Sequence, residues 1–363
     1  MAIYYLLITI FYPSIIITFF KKKYDKIFFL FLSILIIGII AFREKNIGMD
    51  TMNYIYYFNN PYRGYTDGRS IDEMEPAYTS LNLILRNISS NKYFFIFTTS
   101  LLSIIPIITG IFRYSKNRTL SLFLLLTAGT NSCFIVFYFS MIRQTLAISC
   151  LYIAIYILLK NQGYFKKRCI IWLTLAVLFH FSSIVAIPFF FFYKINIKRY
   201  LWISLIASSI ILGVFANIIH LSDWVELIYL YTGRNLDFYF GQEAQANLMA
   251  FLPFALIAIC IHFYGSEDIR NHIFTKIFSI GVILNNVFSQ LMPNNSDRIV
   301  LFYTLAFIWV VPMIYKYKNI PTLIRNGIVF SCVLYYTYKL FDVLQYYVSD
   351  TTINGIAPYK SFL

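Results

Sequence analysis

The sequence predicts an all-α, polytopic integral membrane protein, one membrane domain over residues 1–363 with about eleven or twelve transmembrane segments. Three observations predict it. Hydrophobic residues make up 59% of the chain and charged ones only 13%, and the mean hydropathy is +0.68, values that a soluble globule of 363 residues does not sustain. Apolar runs able to cross the ~30 Å hydrocarbon core recur along the whole chain. The formal charge of +14 sits in short clusters between those runs rather than on one soluble surface, which excludes a nucleic-acid partner and reports topology instead.

The runs lie near residues 2–20, 27–42, 93–111, 120–139, 142–159, 200–219, 249–264, 273–290, 299–315 and 326–347. The first has no basic n-region and no small-residue cleavage site and is long enough to span, so it reads as a transmembrane helix rather than a signal peptide. Basic clusters fix the orientation: "KKKYDK" at 21–26, Arg113 with Lys116 and Arg118, "KNQGYFKKR" at 160–168, Lys194 with Lys198 and Arg199, and Lys316, Lys318 and Arg325. These belong in the cytoplasm, which leaves both termini and two longer loops, near 43–92 and 220–248, outside. The five cysteines all fall in apolar segments, with no CxxC pair, and read as small core- or lipid-facing residues; no metal site is expected.

Residues 169–193 resist a simple crossing. Basic clusters on both sides demand the cytoplasm, yet 25 residues are too few for two full spans. The stretch "CIIWLTLAVLFHFSSIVAIPFFFFY" therefore reads as a re-entrant or short helical hairpin bending near residues 179–183, where His180 and two serines offer polar partners to broken backbone. The alternative is a single crossing with misplaced charges.

On this topology the polar residues that interrupt the grease fall at one depth. Arg43 closes the second helix in "FREKNIGMD", with Gly48 and Asp50 just after it; Arg143 lies in "YFSMIRQTLA" beside Gln144; His180 is at the hairpin bend; Asp297 and Arg298 start a helix in "MPNNSDRIVLFY". Each has a plain structural reading when taken singly. Arg43 could be an interfacial anchor, His180 a satisfied core histidine, Asp297 and Arg298 a pair at a helix start, and Asp50 and Glu75 ordinary loop acids. Taken together, three arginines and a histidine on one face repel one another unless an anion neutralises them. The guanidinium fork suits phosphate. A diphosphate at headgroup level, with its lipid tail left in the bilayer, describes a polyprenyl-diphosphate-linked sugar.

These same stretches carry a family likeness. "FREKNIGMDTMNYIYYF", "EPAYTSLNLIL" at 75–85, "MIRQTLAISCLYIAIYIL" at 141–158, "LFHFSSIVAIPFFF" at 178–191 and "DRIVLFYTLAFIWVVP" at 297–312 resemble, in order and spacing, the EpsG-type, Wzy-like exopolysaccharide (O-antigen and capsule repeat-unit) polymerases. The resemblance implies an enzyme of the bacterial plasma (inner) membrane that joins undecaprenyl-diphosphate-linked oligosaccharide repeat units on the outer face. It is similar in outline to the multi-spanning glycosyltransferases of the C type (GT-C-like), with membrane lipid around it and a flippase and a chain-length regulator as the protein partners it suggests.

On that reading Arg43, Arg143 and Arg298 hold the donor diphosphate, and His180 or Asp50 takes the proton of the attacking hydroxyl. Gln144, Glu75 and Asp297 are secondary candidates. No cofactor and no metal are expected: there is no cytoplasmic nucleotide-binding domain and no DxD motif in an external loop. A glycan ligase would share this chemistry. A flippase or transporter of lipid-linked sugars would instead spread charge through the membrane, where only Lys339 and Asp342 lie within a span, close enough to neutralise each other. A membrane acyltransferase is disfavoured for want of an acyl-carrier pathway.

Overall fold

The computed structural model describes residues 2–61, 74–130, 132–161, 164–215, 248–291, 296–316, 319–346, 355 and 359–362. Among these, regular structure is helical throughout, apart from two isolated β-bridges. The expected loop at 220–248, save its last residue, and the stretch 62–73 of the expected loop at 43–92 lie outside the described residues. Two compact units form: residues 1–187 with 329–363, and residues 188–328.

The first unit opens with α1 (Ala2–Phe20) and α2 (Asp25–Ala41), joined by a 3₁₀ turn. Two short helices, α3 (Thr51–Asn59) and α4 (Pro76–Ile88), precede the long α5 (Lys92–Tyr114). The apolar run at 120–139 is not one helix but two, α6 (Arg118–Thr127) and α7 (Phe134–Ser140). Then come α8 (Ile142–Lys160), α9 (Lys167–Phe179) and a 3₁₀ stretch at Phe181–Ala186; α10 (Ile187–Phe192) starts at the last residue of this segment and runs into the second unit. The second unit holds α11 (Arg199–Phe215), α12 (Leu248–Tyr264), α13 (Glu267–Asn271), α14 (Ile273–Leu291), α15 (Ser296–Thr304) and α16 (Phe307–Lys316); α17 (Thr322–Tyr346) leads back into the first.

Among the described residues six helical stretches are long and apolar enough to cross a membrane, and five shorter apolar helices accompany them. The chain is an all-α polytopic membrane protein, and its burial pattern fits that setting. Leu6, Ile34 and Phe330 are exposed, whereas Thr99, Ser100 and Ser103 of α5 are buried. Small polar residues at the interfaces let helices approach closely where lipid offers no hydrophobic drive between them.

Two breaks in apolar runs have local causes. Gly129, between α6 and α7, has φ +156, and a Cβ there would meet the Ser132 carbonyl oxygen at 1.8 Å. Only glycine fits such backbone. The Gly129 carbonyl accepts a hydrogen bond from Lys339 Nζ of α17 at 3.1 Å, so the buried lysine expected to neutralise Asp342 also satisfies unwound backbone inside the protein. The second break lies where the bend was expected. At His180 the backbone is extended (φ −159, ψ 117), and the chain resumes as 3₁₀ helix with Ser183 N–H donating to the His180 carbonyl at 3.0 Å.

Candidate functional site

Glu75 is the centre of the polar cluster in the first unit. Residue 76 is proline, which disfavours helix at the preceding position and suits the first helical turn. Glu75 accordingly sits in extended conformation (φ −65, ψ 132) as the N-cap of α4. The helix it starts is amphipathic, burying Tyr78, Asn82 and Leu85, and that stripe packs into an aromatic cluster with Tyr54, Tyr57, Phe58 and Phe95. Tyr57 and Tyr78 stack at 5.8 Å, and the Tyr57 hydroxyl bonds Thr79 at 2.8 Å. Packing thus fixes the carboxylate in space.

Glu75 Oε2 accepts from Arg143 at 2.6 Å, and Oε1 accepts from His180 Nδ1 at 3.0 Å and from the Phe181 N–H at 3.4 Å. The three side chains are mostly buried, with Arg143 13%, Glu75 14% and His180 23% exposed. Arg143 also lies 6.0 Å from the ring centroids of both Tyr54 and Tyr78, within reach of the cation–π attraction. Burial would raise the Glu75 carboxyl, but the hydrogen bond from His180 and the Arg143 charge outweigh it and hold the group well below the usual carboxylate range, at about 2. An ionised carboxylate only accepts. In this bond His180 Nδ1 therefore carries the hydrogen.

Arg43 is placed differently. It is 0% exposed, and its guanidinium donates to the Ile40 carbonyl at 2.6 Å, to Ser100 Oγ at 2.7 Å and to the Phe139 carbonyl at 3.3 Å. These acceptors belong to α2, α5 and α7, so the arginine ties three helices together. The Ile40 and Phe139 carbonyls lie in the last turns of α2 and α7, where no intrahelical partner exists and a cation is favoured. The following loop is moulded to the same spot. Gly48 has φ +99, and a Cβ there would meet the Phe139 oxygen at 2.2 Å; Thr51 Oγ1 approaches that oxygen at 3.1 Å, and Met49 N–H donates to Ser140 Oγ at 3.1 Å. Reaching a diphosphate would require Arg43 to leave this network.

The remaining expected residues are distributed as follows. Asp50 precedes α3, and its carbonyl accepts from Tyr54 N–H at 3.1 Å. Gln144 is buried next to Arg143 on α8. Arg298 lies in the first turn of α15, in the second unit, half-buried; Asp297 precedes it there, its side chain outside the described residues. Among the described residues no three His, Cys, Asp or Glu side chains gather as metal ligands.

The EpsG family model matches residues 26–361 of the chain. The chain belongs to the EpsG family. No curated protein and no solved structure matches it. As an EpsG family member it is an exopolysaccharide-polymerase-like protein of the multi-pass membrane class. The match spans both units and every residue of the Arg143–Glu75–His180 chain. The residues read from the sequence as leading candidates are Arg43, Arg143, Arg298, His180 and Asp50, with Glu75 a secondary one; the structure joins Glu75 to two of them, Arg143 and His180. The signal for Glu75 was present in "EP" at a helix start, which puts an acid at a defined, packed position rather than in a loop.

Proposed function

We propose that this EpsG protein joins lipid-diphosphate-linked oligosaccharide repeat units on the extracytoplasmic face of the membrane, working as one membrane domain and without a metal. The observation that carries the reading is the bridge made by Glu75 between Arg143 and His180. The acceptor sugar hydroxyl is deprotonated by His180 Nε2 while Glu75 holds the ring tautomer and stabilises the imidazolium that forms. The acceptor oxygen bonds to the anomeric carbon of the donor glycan, the anomeric C–O bond to the diphosphate breaks, and the lipid diphosphate leaves with the electron pair. Arg143 faces the negative charge that grows on the leaving group. Fixed cations favour the transition state over the ground state because the charge is larger there. Arg43 enters as the pin of the loop carrying Asp50, which is kept as the second candidate base.

The test is incubation of the purified protein with lipid-linked repeat units from its own cell, without nucleotide sugar. A ladder of products supports polymerisation. A single capped acceptor would indicate a ligase, and lipid translocation without new glycosidic bonds a flippase.

A further inference from the structure

The described residues near the C-terminal end lie against the loop that follows α2. Glu44 N–H donates to the Lys360 carbonyl at 2.9 Å, Phe362 N–H to the Phe42 carbonyl at 3.1 Å, and Gly48 N–H to the Gly355 carbonyl at 3.0 Å. Arg43 pairs with Ser361 in an antiparallel bridge and Ile47 with Gly355 in a parallel one. Side chains add to the backbone pairing. The Tyr359 hydroxyl donates to the Ile39 carbonyl at 2.9 Å, and the Ser361 hydroxyl to the Phe42 carbonyl at 2.8 Å. The Phe362 ring stacks on Tyr93 at 4.3 Å and meets Phe42 edge-on at 5.8 Å; Tyr93 in turn donates to Glu44 Oε1 at 2.7 Å.

A helix leaves its last four carbonyls without intrahelical partners, and α2 ends at Ala41. Its terminal acceptors are answered largely from far along the chain: Ile39 by Tyr359, Phe42 by Ser361 and Phe362, and Ile40 by Ser100 together with the neighbouring Arg43. Arg43 is thus held on one side by α7 and on the other by the segment at 359–362. We propose that Gly355 and residues 359–362 form a positioning strap. They fix the 42–50 loop in the register that lets Arg43 and Gly48 dock on α7, and the reaction requires that register.

The activity arm of the test rests on the proposed function; the exchange arm does not. In the full-length protein in nanodiscs, Phe362→Pro removes both the N–H to Phe42 and the ring on Tyr93, whereas Phe362→Tyr keeps both. Hydrogen exchange of the 42–50 amides is expected to be roughly tenfold faster in Phe362→Pro and unchanged in Phe362→Tyr, with α5 amides unaffected. Polymer synthesis is expected to fall roughly tenfold in Phe362→Pro, through kcat more than KM, and to be restored by tyrosine. Unchanged exchange at 42–50 would overturn the strap. Faster exchange with full polymer synthesis would overturn its role in the reaction. If Phe362→Pro does not fold, Tyr359→Phe, which deletes one hydroxyl, is read by the same two measurements. Where the wild-type protein itself makes no polymer, the proposed function fails and exchange alone decides the strap.

Discussion

Glu75 and Arg143, 68 positions apart, meet at 2.6 Å, and the other oxygen of the same carboxylate bonds His180 at 3.0 Å. Convergent cations call for an anion, and part of that anion is supplied by the protein itself. Glu75→Gln keeps the shape and removes the charge. Polymer synthesis is expected to drop about 100-fold or more, in line with the loss of an oriented general base, while membrane insertion stays intact. Rate assays on equal amounts of folded protein check this; a Glu75→Gln variant at full rate refutes the relay.

The depressed Glu75 carboxyl has a consequence for stability. A group whose folded pKa lies below its unfolded one stabilises the fold above the unfolded value, and that contribution is lost as pH falls through the folded one. With Glu75 held at about 2, its contribution is fully present above the ordinary carboxylate range and fades only between there and about pH 2. Thermal melts of wild type and Glu75→Gln should therefore differ above the ordinary carboxylate range, by roughly 2 kcal/mol for hydrogen bonds to a charged group. The gap should close in strong acid. A gap that vanishes already near pH 6 contradicts the assignment.

Arg143→Lys separates charge from geometry. Lysine keeps the positive charge but loses the planar fork. Polymer synthesis is expected to collapse while expression and insertion remain normal, as judged by polymer blots beside membrane-fraction blots. Full-length polymer from the lysine variant would remove bidentate phosphate binding at this position.

Arg43 should behave in the opposite way. Its guanidinium answers the Ile40 and Phe139 carbonyls in a fully buried place, so Arg43→Met leaves acceptors unpaired at about 1–3 kcal/mol each. The expected result is less folded protein and a lower melting temperature, not a folded but inactive enzyme. Size-exclusion chromatography and thermal melts in detergent check it; a variant as stable as wild type but inactive would return Arg43 to direct substrate contact.

Gly48→Ala tests the docking of the loop. The new methyl would meet the Phe139 oxygen, and the left-handed φ adds strain of about 1–2 kcal/mol. Melting should fall, and exchange at residues 42–50 should rise, more than for an alanine at Gly327, where nothing lies within 4 Å.

Much of the fold was legible in the residues. Long apolar runs report membrane helices because no other element satisfies its own backbone in lipid, and α1, α2, α5, α8, α12 and α14 lie where those runs do. His180 marked a break because a polar residue with two serines stands where an apolar helix would have continued. The run at 120–139 misled for a related reason: hydropathy averages over "TAGTNS" and does not register that Gly129 must take a positive φ.

By itself, the sequence determined that this is a multi-pass helical membrane protein of the EpsG family, and that Arg143 and His180 are unusual where they stand. Only the tertiary structure decided their partner, since Glu75 lies 68 positions from Arg143 and 105 from His180 yet bonds both. It likewise decided that Arg43, which looks from sequence like a substrate ligand, caps the ends of α2 and α7. Hydropathy is a local property and reads along the chain. Which orphan carbonyl or carboxylate answers a buried charge depends on what folding brings alongside it.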